Sequence, residues 1–567
     1  MPNVWWNGSW MGTEEGLSFL HDLKEDIERL LEKIEDIQEG DSGPQGPATS
    51  LEANNNYLKQ VFKDCSDVVF REVFVGGNTR TRALVVYCDG MVEKTTINEG
   101  MLKPLMIETS KAQRQKRPLG EEKGLPENQA PGATRSGPDL LPRIKEKWLA
   151  VGELKETSHW ETLIHGILSG DTAFLIDGSE VALLAGTRGF ESRDVTEPVA
   201  ESVVKGPREG FTENIRTSTS LLRRRVKDPN LKMEPLQIGR ITKTHVIITY
   251  IKGIADDKIV EEVRTRLKRI DIDGILESGY IVELIEDCPY SPYPQIEPTE
   301  RPDKVAAGLL EGRVAILVDN TPYALLVPTV IWQFIQSAED YYDRPFIGSF
   351  LRWIRLICVA LNLALPSFYI ALTTIQPEMI PTPLIISIAG AKEGTPFPLF
   401  FEVLIMEVMF EILREAGVRL PRPVGQAVSI VGALVIGEAA IRAGLASPAT
   451  VIVVAITGIT SFAVPGYTAV IAPRLLRFPL EALAASLGLF GITVGIMALL
   501  LHLASLRSFG VPYLSPVAPG TYYDLKDVVI RAPWWTMLTR PRLISSQSPV
   551  RQRPGMKPVP PAQGRVS

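Results

Sequence analysis

Four glutamates interrupt an otherwise apolar stretch between positions 400 and 417, FFEVLIMEVMFEILREAG. On an α-helix, which turns by about 100° per residue, Glu407, Glu411 and Glu415 share one face, whereas Glu402 points away from them. An ionised carboxylate that faces lipid costs roughly 2.5 kcal/mol or more, so the shared face must meet water, protein or basic partners. Carboxylates beside an aqueous path attract cations, and the four glutamates are therefore candidates for a pore lining or a cation-attracting vestibule.

The same stretch has a second interpretation. The helix could lie in the membrane interface, with its acids in water and its Phe, Leu, Ile and Met side chains in the acyl layer. Arg414 could also neutralise part of the acidic face. The residues alone leave the pore-lining and the interfacial interpretations open.

A second candidate feature is the Pro465-Gly466 pair, which interrupts a long apolar segment. A broken membrane helix exposes backbone groups that can bind ions or substrates, and it can also bend as a hinge or gate. A kink that only helps packing is the alternative.

The elements that must position these residues are membrane helices. Besides the glutamate-bearing stretch, four apolar segments are each long enough to cross about 30 Å of hydrocarbon. They cover residues 353–375, 426–445, 448–472 and 481–506. The sequence therefore predicts an α-helical transmembrane bundle over 350–506 with about five spans, within a range of four to six.

Basic residues indicate the orientation of the bundle. Arg344, Arg352 and Arg355 precede the first span, which places the amino-terminal half in the cytoplasm, and the first residues lack a signal peptide. An odd number of spans would put the Pro/Arg-rich tail, 507–567, outside, although its positive charge favours the inside. We therefore expect one segment to be re-entrant, interfacial or double, either the proline-broken 380–398 or the glutamate-bearing stretch.

The amino-terminal half contains one α/β unit twice. Residues 83–105 and 246–270 share a β-branched strand, a glycine turn and a helical pattern, and 170–186 resembles 312–328. The repeated hairpins turn at Asp177-Gly178 and at Asp319-Asn320. The sequence predicts two tandem, related α/β subdomains, over residues 50–205 and 206–345, with a disordered insertion at 110–141 in the first.

Two further segments have candidate interaction roles. Residues 1–45 contain heptad-spaced Leu and Ile between positions 20 and 37, which favour an oligomerisation helix or an amphipathic helix on its own domain. Arg223, Arg224 and Arg225, together with the three arginines before the first span, are candidates for contact with the membrane surface or with another subunit. A solvated helix surface is the alternative for the arginine triplet.

Several functional classes are excluded by the absence of their motifs. The chain has no P-loop, no HExxH, no GxSxG in a strand-turn-helix setting and no Rossmann fingerprint. Its four cysteines show neither a CxxC pair nor metal-like spacing. The formal net charge of −6 sums an acidic amino-terminal half and a basic tail, so it says little about partners. We expect no nucleic-acid partner. We expect no enzyme, no cofactor and no metal site.

Long sequence blocks add a family resemblance. In order, they are FKDCSDVVFREVFVGG, GPREGFTENIRTSTSLLRRRVKDPNLKMEPLQIGRITKTHVIITYIKGIA, EDYYDRPFIGSFLRWIR, PEMIPTPLIISIAG, EVMFEILREAGVRLPRPVGQAVSIVGALVIGEAAIRAG and YDLKDVVIRAP. They resemble the A subunit of the GerA-family spore germination receptors of endospore-forming bacteria, over about residues 50 to 540.

The resemblance implies a germinant-receptor subunit in the inner membrane of the dormant spore. Such A subunits act with a transporter-like B subunit, which binds the nutrient, and with a lipoprotein C subunit. The resemblance also implies homo-oligomers, in a ring such as a pentamer, that form a ligand-gated ion channel. A non-conducting scaffold, an accessory paralogue and a secondary transporter remain alternatives.

Overall fold

The computed structural model describes residues 45–75, 81–104, 153–189, 198, 201, 203–419, 437–521, 524–545 and 547–558. The predicted heptad helix, the predicted disordered insertion and most of the apolar segment 426–445 lie outside these residues. The described chain divides into two compact units. The first extends to Arg188 and the second begins at Gly189, except that Phe62–Val68 and Asp89–Met91 belong to the second unit.

The first unit contains a five-stranded sheet with the order β1-β2-β4-β5-β3. Its elements are α1 (Leu51–Val61), β1 (Val68–Phe74), β2 (Arg82–Cys88), a π-helical turn (Thr96–Leu102), β3 (Leu154–Thr157), α2 (Trp160–Leu168), β4 (Thr172–Ile176) and β5 (Ala182–Ala185). Strands β4 and β5 are buried along their whole length, since β-branched and aliphatic residues fill both faces.

The second unit contains a sheet of the same size, with the order β6-β7-β9-β10-β8. Its α/β elements are α3 (Ile215–Arg225), β6 (Leu231–Ile238), β7 (Thr244–Ile251), α4 (Asp257–Arg269), α5 (Ser278–Ile285), β8 (Glu297–Thr299), α6 (Pro302–Leu310), β9 (Val314–Val318) and β10 (Ala324–Val327). Alternate residues of β7 and β9 pack into one core with α4 and α5, and the others into a second core with α3 and α6. The α/β class predicted for the amino-terminal half is confirmed.

Matching contacts in the two sheets reflect the repeated sequence. In the first, the Asp177 side chain accepts a hydrogen bond from the amide of Leu51, the first residue of α1; in the second, Asp319 does the same for Ile215 at the start of α3. The two hairpin turns contain Gly178 and Asn320, both with positive φ, as the turn residues predict. Each repeat thus fixes its first helix to its hairpin turn in the same way.

Helices make up the part of the second unit that follows Ala338. They are α7 (Glu339–Tyr342), α8 (Pro345–Thr374), α9 (Thr382–Lys392), α10 (Leu399–Arg419), α11 (Pro448–Thr460), α12 (Tyr467–Leu487) and α13 (Leu489–Ser505). In the described residues, only α8 is both long enough and apolar enough to cross a membrane by itself; α9, α11 and α13 are shorter apolar helices. The helical class is confirmed, whereas the count of five spans stays a prediction.

Two of the predicted spans are divided into separate helices. The segment 448–472 contains the end of α11 at Thr460 and the start of α12 at Tyr467, and the segment 481–506 is broken at Gly488. Gly488 has a φ of 63°, and the side chain of Gln376 accepts a hydrogen bond from the free amide of Leu489 at 3.1 Å. The side chain of Gln376 therefore caps the start of α13.

The tail that follows α13 folds back onto the α/β part of the second unit. A short hairpin, β11 (Arg507–Ser508) and β12 (Val511–Pro512), begins this return. The Ser508 hydroxyl donates to the carbonyl of Gln295 at 2.7 Å, and Asp527 receives hydrogen bonds from Tyr341 and from Arg352 of α8. The tail that follows α13 thus contacts both the α/β part of the second unit and the start of α8.

An ion pair on the second sheet gives a testable pH dependence. Arg264 of α4 contacts Glu234 of β6 with two hydrogen bonds, at 2.8 and 3.0 Å, and Tyr250 donates a third at 2.7 Å. Burial raises the pKa of Glu234, but the hydrogen bonds from Arg264 and Tyr250 outweigh it and hold the pKa below its ordinary value. Folding is therefore favoured above the unfolded-state pKa, and this contribution is lost as the pH falls through the lower folded-state pKa.

We expect Glu234→Gln to destabilise the protein by about 1–2 kcal/mol at neutral pH, because the charge-assisted hydrogen bonds weaken. The variant should also lose less stability than wild type when the pH falls below about 4. Thermal unfolding of the detergent-solubilised protein across pH measures both effects. Asp271→Asn, which removes an exposed pair with Arg240, is the control and should change little.

Candidate functional site

The glutamate-bearing stretch forms α10, and its acidic face packs against a basic face of α12. Glu407 and Glu411 are four residues apart, whereas Arg474 and Arg477 are three apart, so each pair lies on one side of its helix. The facing pairs bring opposite charges together between helices that are otherwise largely apolar. We call the set Glu407, Glu411, Arg414, Arg474, Arg477 and Glu481 the charged cluster.

Arg477 lies at the centre of the charged cluster. It is 1% exposed, and its guanidinium lies 2.9 Å from a carboxylate oxygen of Glu407 and 2.9 Å from one of Glu411. Glu407 is fully buried. A buried arginine shared between two carboxylates fixes the register of the two helices, because breaking either contact leaves a charge without compensation.

Glu411 has more basic neighbours than any other member of the cluster. Besides Arg477, it contacts Arg474 of α12, and Arg414 of its own helix lies 3.4 Å away. Arg414 also donates to the hydroxyl of Ser461 at 2.6 Å and lies over the rings of Phe410 and Phe462. Arg414 therefore neutralises only a minor part of the acidic face, and Arg474 and Arg477 neutralise more of it.

Glu402 lies in a different environment, as its helical angle predicts. It is fully buried, and its carboxylate accepts hydrogen bonds from the Ser447 amide, the Thr450 hydroxyl and the Thr395 hydroxyl, at 3.0–3.2 Å. This carboxylate links the start of α10 to the amino terminus of α11. It does not join Glu407 and Glu411.

Glu415 is exposed and pairs with Arg419, one turn along α10. Of the four predicted site residues, the structure thus brings together Glu407 and Glu411 and separates Glu402 and Glu415 from them. The interfacial interpretation, with the acids in water, is wrong for Glu402 and Glu407, since both are enclosed by protein.

Pro465 and Gly466 lie in the connection between α11 and α12. Ser461 follows the last residue of α11, and Gly466 precedes the first residue of α12. A side-chain carbon added at Gly466 would lie 3.4 Å from the ring of Phe334, in the 3₁₀ turn that follows the second sheet. The predicted interruption of the segment coincides with this connection, and its role as a hinge or gate stays a prediction.

The predicted surface role of the arginine triplet is wrong for Arg223. Its side chain is fully buried, with Asp67 at 2.7 Å and the carbonyls of Asp228 and Leu231 at 2.9 and 3.0 Å. Arg224 and Arg225 both pair with Glu209 at the edge of the unit. The triplet is therefore largely compensated within its own unit.

The arginines before the first span differ from one another in the same way. Arg344 is exposed at the start of α8 and stays a candidate for a membrane-surface contact. Arg352 and Arg355 instead bind the fully buried Asp340, at 3.0 and 2.9 Å, so a surface role is wrong for both. Their charges join α8 to α7 and, through Asp527, to the tail.

The basic half of the charged cluster was not predicted as a site. Arg474, Arg477 and Glu481 follow one another along α12, with Glu481 one turn after Arg477. The spacing of 3 and 4 residues between these three positions is a signal that could have been used, because it places them on one helical face inside an apolar segment.

The fold and the charged cluster define a class of protein: an α/β region with a duplicated sheet, followed by an apolar helical region that encloses ionised groups. The chain belongs to the Bacillus/Clostridium GerA spore germination protein family, whose model matches residues 56–543. The family and its relatives are described as spore germination proteins.

Two relatives of similar length agree with this assignment. Spore germination protein KA of Bacillus subtilis (strain 168) is 43% identical over 90% of both chains. The membrane protein YfkQ of the same strain is 41% identical over 91% of this chain and 94% of its own. The crystal structure of the N-terminal domain of the A subunit of the Bacillus megaterium spore germinant receptor GerK3 is 35% identical, with a TM-score of 0.38, over 51% of this chain and 97% of that one.

Proposed function

We propose that this protein is the A subunit of a nutrient receptor in the inner spore membrane and that its helical region, as a homo-oligomeric ring such as a pentamer, conducts cations when germination begins. Family membership supports the receptor role. The nutrient is bound elsewhere in the complex, by a transporter-like B subunit, and a lipoprotein C subunit completes the receptor.

The observation that carries the conducting role is the charged cluster. Ionised side chains are expensive inside a membrane, and where they occur they most often mark ion or proton pathways. Glu411 has the solvent access that Glu407 lacks, since about a fifth of its side chain is exposed, and Glu415 is exposed one turn further on. In a ring of subunits these two carboxylates would repeat around the axis and attract cations.

The position of the tail supports an even number of membrane crossings. The tail contacts both the start of α8, where Asp527 accepts a hydrogen bond from Arg352, and the α/β part of the second unit, where Ser508 donates to the carbonyl of Gln295. An even count reconciles the positive charge of the tail with a cytoplasmic amino-terminal region. The α/β region and the tail then share the cytoplasmic face, and the connection at Pro465-Gly466 lies beside the 3₁₀ turn through which that region could act on α12.

We expect Glu411→Gln to lower cation flux by at least roughly tenfold. The substitution leaves Arg414, Arg474 and Arg477 with one carboxylate fewer, and at about 6 Å with an effective dielectric constant near 20 a lost charge changes the free energy of a passing cation by about 3 kcal/mol. The measurement is cation efflux from liposomes that contain the protein with its partner subunits.

Glu438→Gln is the matched control, because Glu438 is exposed and pairs with Arg442, four residues further along the chain. Flux that is unchanged in Glu411→Gln, with the oligomer intact, would place conduction elsewhere. If wild type conducts no cations with all partners present, the protein is a scaffold and the conducting role is wrong.

A further inference from the structure

Two carboxyl groups of the charged cluster face each other. Glu481 of α12 lies within hydrogen-bonding reach of Glu407 of α10, and both side chains are fully buried. Among the residues that the structure describes, no hydrogen-bond donor reaches either oxygen of Glu481. The contact between the two helices thus has an acid on each side at the same point.

Two ionised carboxylates cannot form such a contact. Each is only an acceptor of hydrogen bonds when it is ionised, whereas a protonated carboxyl donates one. Two negative charges at this distance also repel each other strongly in an enclosed site, and carboxylates that share a site therefore do not both ionise. The geometry requires something positive between the oxygens.

The neighbouring charges do not supply it. Arg477 contacts Glu407 on one side, at 2.9 Å, and also serves Glu411. The charged groups that act on the pair are this arginine and Glu411, both from the same two helices. Arg477 therefore compensates one negative charge of the pair, and the second carboxyl needs its own partner.

We propose that Glu407 and Glu481 form a proton-binding site in which one proton, taken up from water, is shared between the two carboxyl groups. One oxygen carries the proton and donates to the other carboxylate, whose charge is compensated by Arg477. Release of the proton to water leaves two like charges in an enclosed site, so α10 and α12 separate at this level. The site needs only the packing of these two helices and does not depend on cation conduction.

Proton binding makes the contact between α10 and α12 depend on pH in a defined direction. The folded protein holds a proton that the unfolded chain releases in the same pH range. The site therefore stabilises the folded state at acidic pH, and its contribution is lost as the pH rises through the range in which the pair releases the proton.

Infrared spectroscopy of the full chain in liposomes tests the proposal directly. At neutral pH we expect one carboxylic-acid carbonyl band per subunit that shifts on exchange into D₂O. The band should be lost in Glu481→Gln and in Glu407→Gln, and it should persist in Glu438→Gln. Glutamine keeps the shape of glutamate and can donate to the remaining carboxylate, so either variant can retain the contact.

A pH titration of the wild-type band gives a second measurement that needs no variant. The band should disappear as the pH is raised, together with a fall in the unfolding temperature that Glu481→Gln does not show. Absence of the band in wild type at neutral pH would overturn the proposal. A pair bridged by Na⁺ or K⁺ would likewise lack the band, and its unfolding temperature would follow the concentration of that cation, which would also overturn it.

Discussion

Replacing Asp340 with asparagine is expected to destabilise the protein by about 3–5 kcal/mol, because the substitution leaves two arginines of α8 without their buried partner. Asp340 is fully buried and binds Arg352 at 3.0 Å and Arg355 at 2.9 Å. Only Arg352 has a second carboxylate, that of Asp527, at 2.8 Å. We expect the unfolding midpoint in detergent to fall by roughly 5 °C.

Asp343→Asn is the matched control for this prediction. Asp343 ends the same short helix but forms a partly exposed pair with Lys205, and such pairs contribute at most about 1 kcal/mol. An equal fall in both variants would mean that the buried position of Asp340 has no special role. Because α8 is the first predicted membrane span, a selective fall would also show how firmly α7 is fixed to it.

The duplicated sheets could be predicted from the sequence because their signals are local. Hairpin strands and their turns lie within a few residues of each other, and Asp-Gly or Asp-Asn between two apolar runs has a direct conformational reason. The capping contact between Asp177 and Leu51 is repeated between Asp319 and Ile215, so the sequence signal for this arrangement occurs twice. The α/β class required no knowledge of distant contacts.

The partners of the charged residues could not be predicted in this way. Arg223 pairs with a residue 156 positions earlier in the chain, and Arg352 pairs with one 175 positions later. An arginine has the same composition signal whether it faces lipid headgroups or a buried carboxylate. Only the folded structure distinguishes these two environments. In it, Arg223, Arg352 and Arg355 bind buried carboxylates and do not face the surface.

The limits of the helices in the predicted membrane spans also depend on tertiary contacts. Hydropathy treats 481–506 as one apolar run, yet the chain turns at Gly488 and α13 packs closely against the end of α12. A side-chain carbon added at Gly491 would lie 2.2 Å from the carbonyl oxygen of Leu483, so only glycine permits this approach. A hydropathy window cannot detect a close approach that a single glycine makes possible.

The second large effect is expected for Arg223→Met, which should destabilise the second unit by about 3–5 kcal/mol by leaving Asp67 buried without its partner. Arg223 contacts Asp67 through two hydrogen bonds, at 2.7 and 3.0 Å, and also donates to two backbone carbonyls. Hydrogen exchange of β6 and β7 should increase along with a lower unfolding midpoint. Arg224→Met, at a partly exposed pair with Glu209, is the control.

A double variant separates the cost of burial from the value of the pair. In Arg223→Met with Asp67→Leu, neither charge remains, and we expect part of the lost stability to return, since apolar residues of similar volume often replace a buried pair at little cost. The carbonyls of Asp228 and Leu231 would still lack the donor that Arg223 supplies. Recovery should therefore be incomplete, and a double variant as unstable as Arg223→Met alone would place the whole effect in those two backbone contacts.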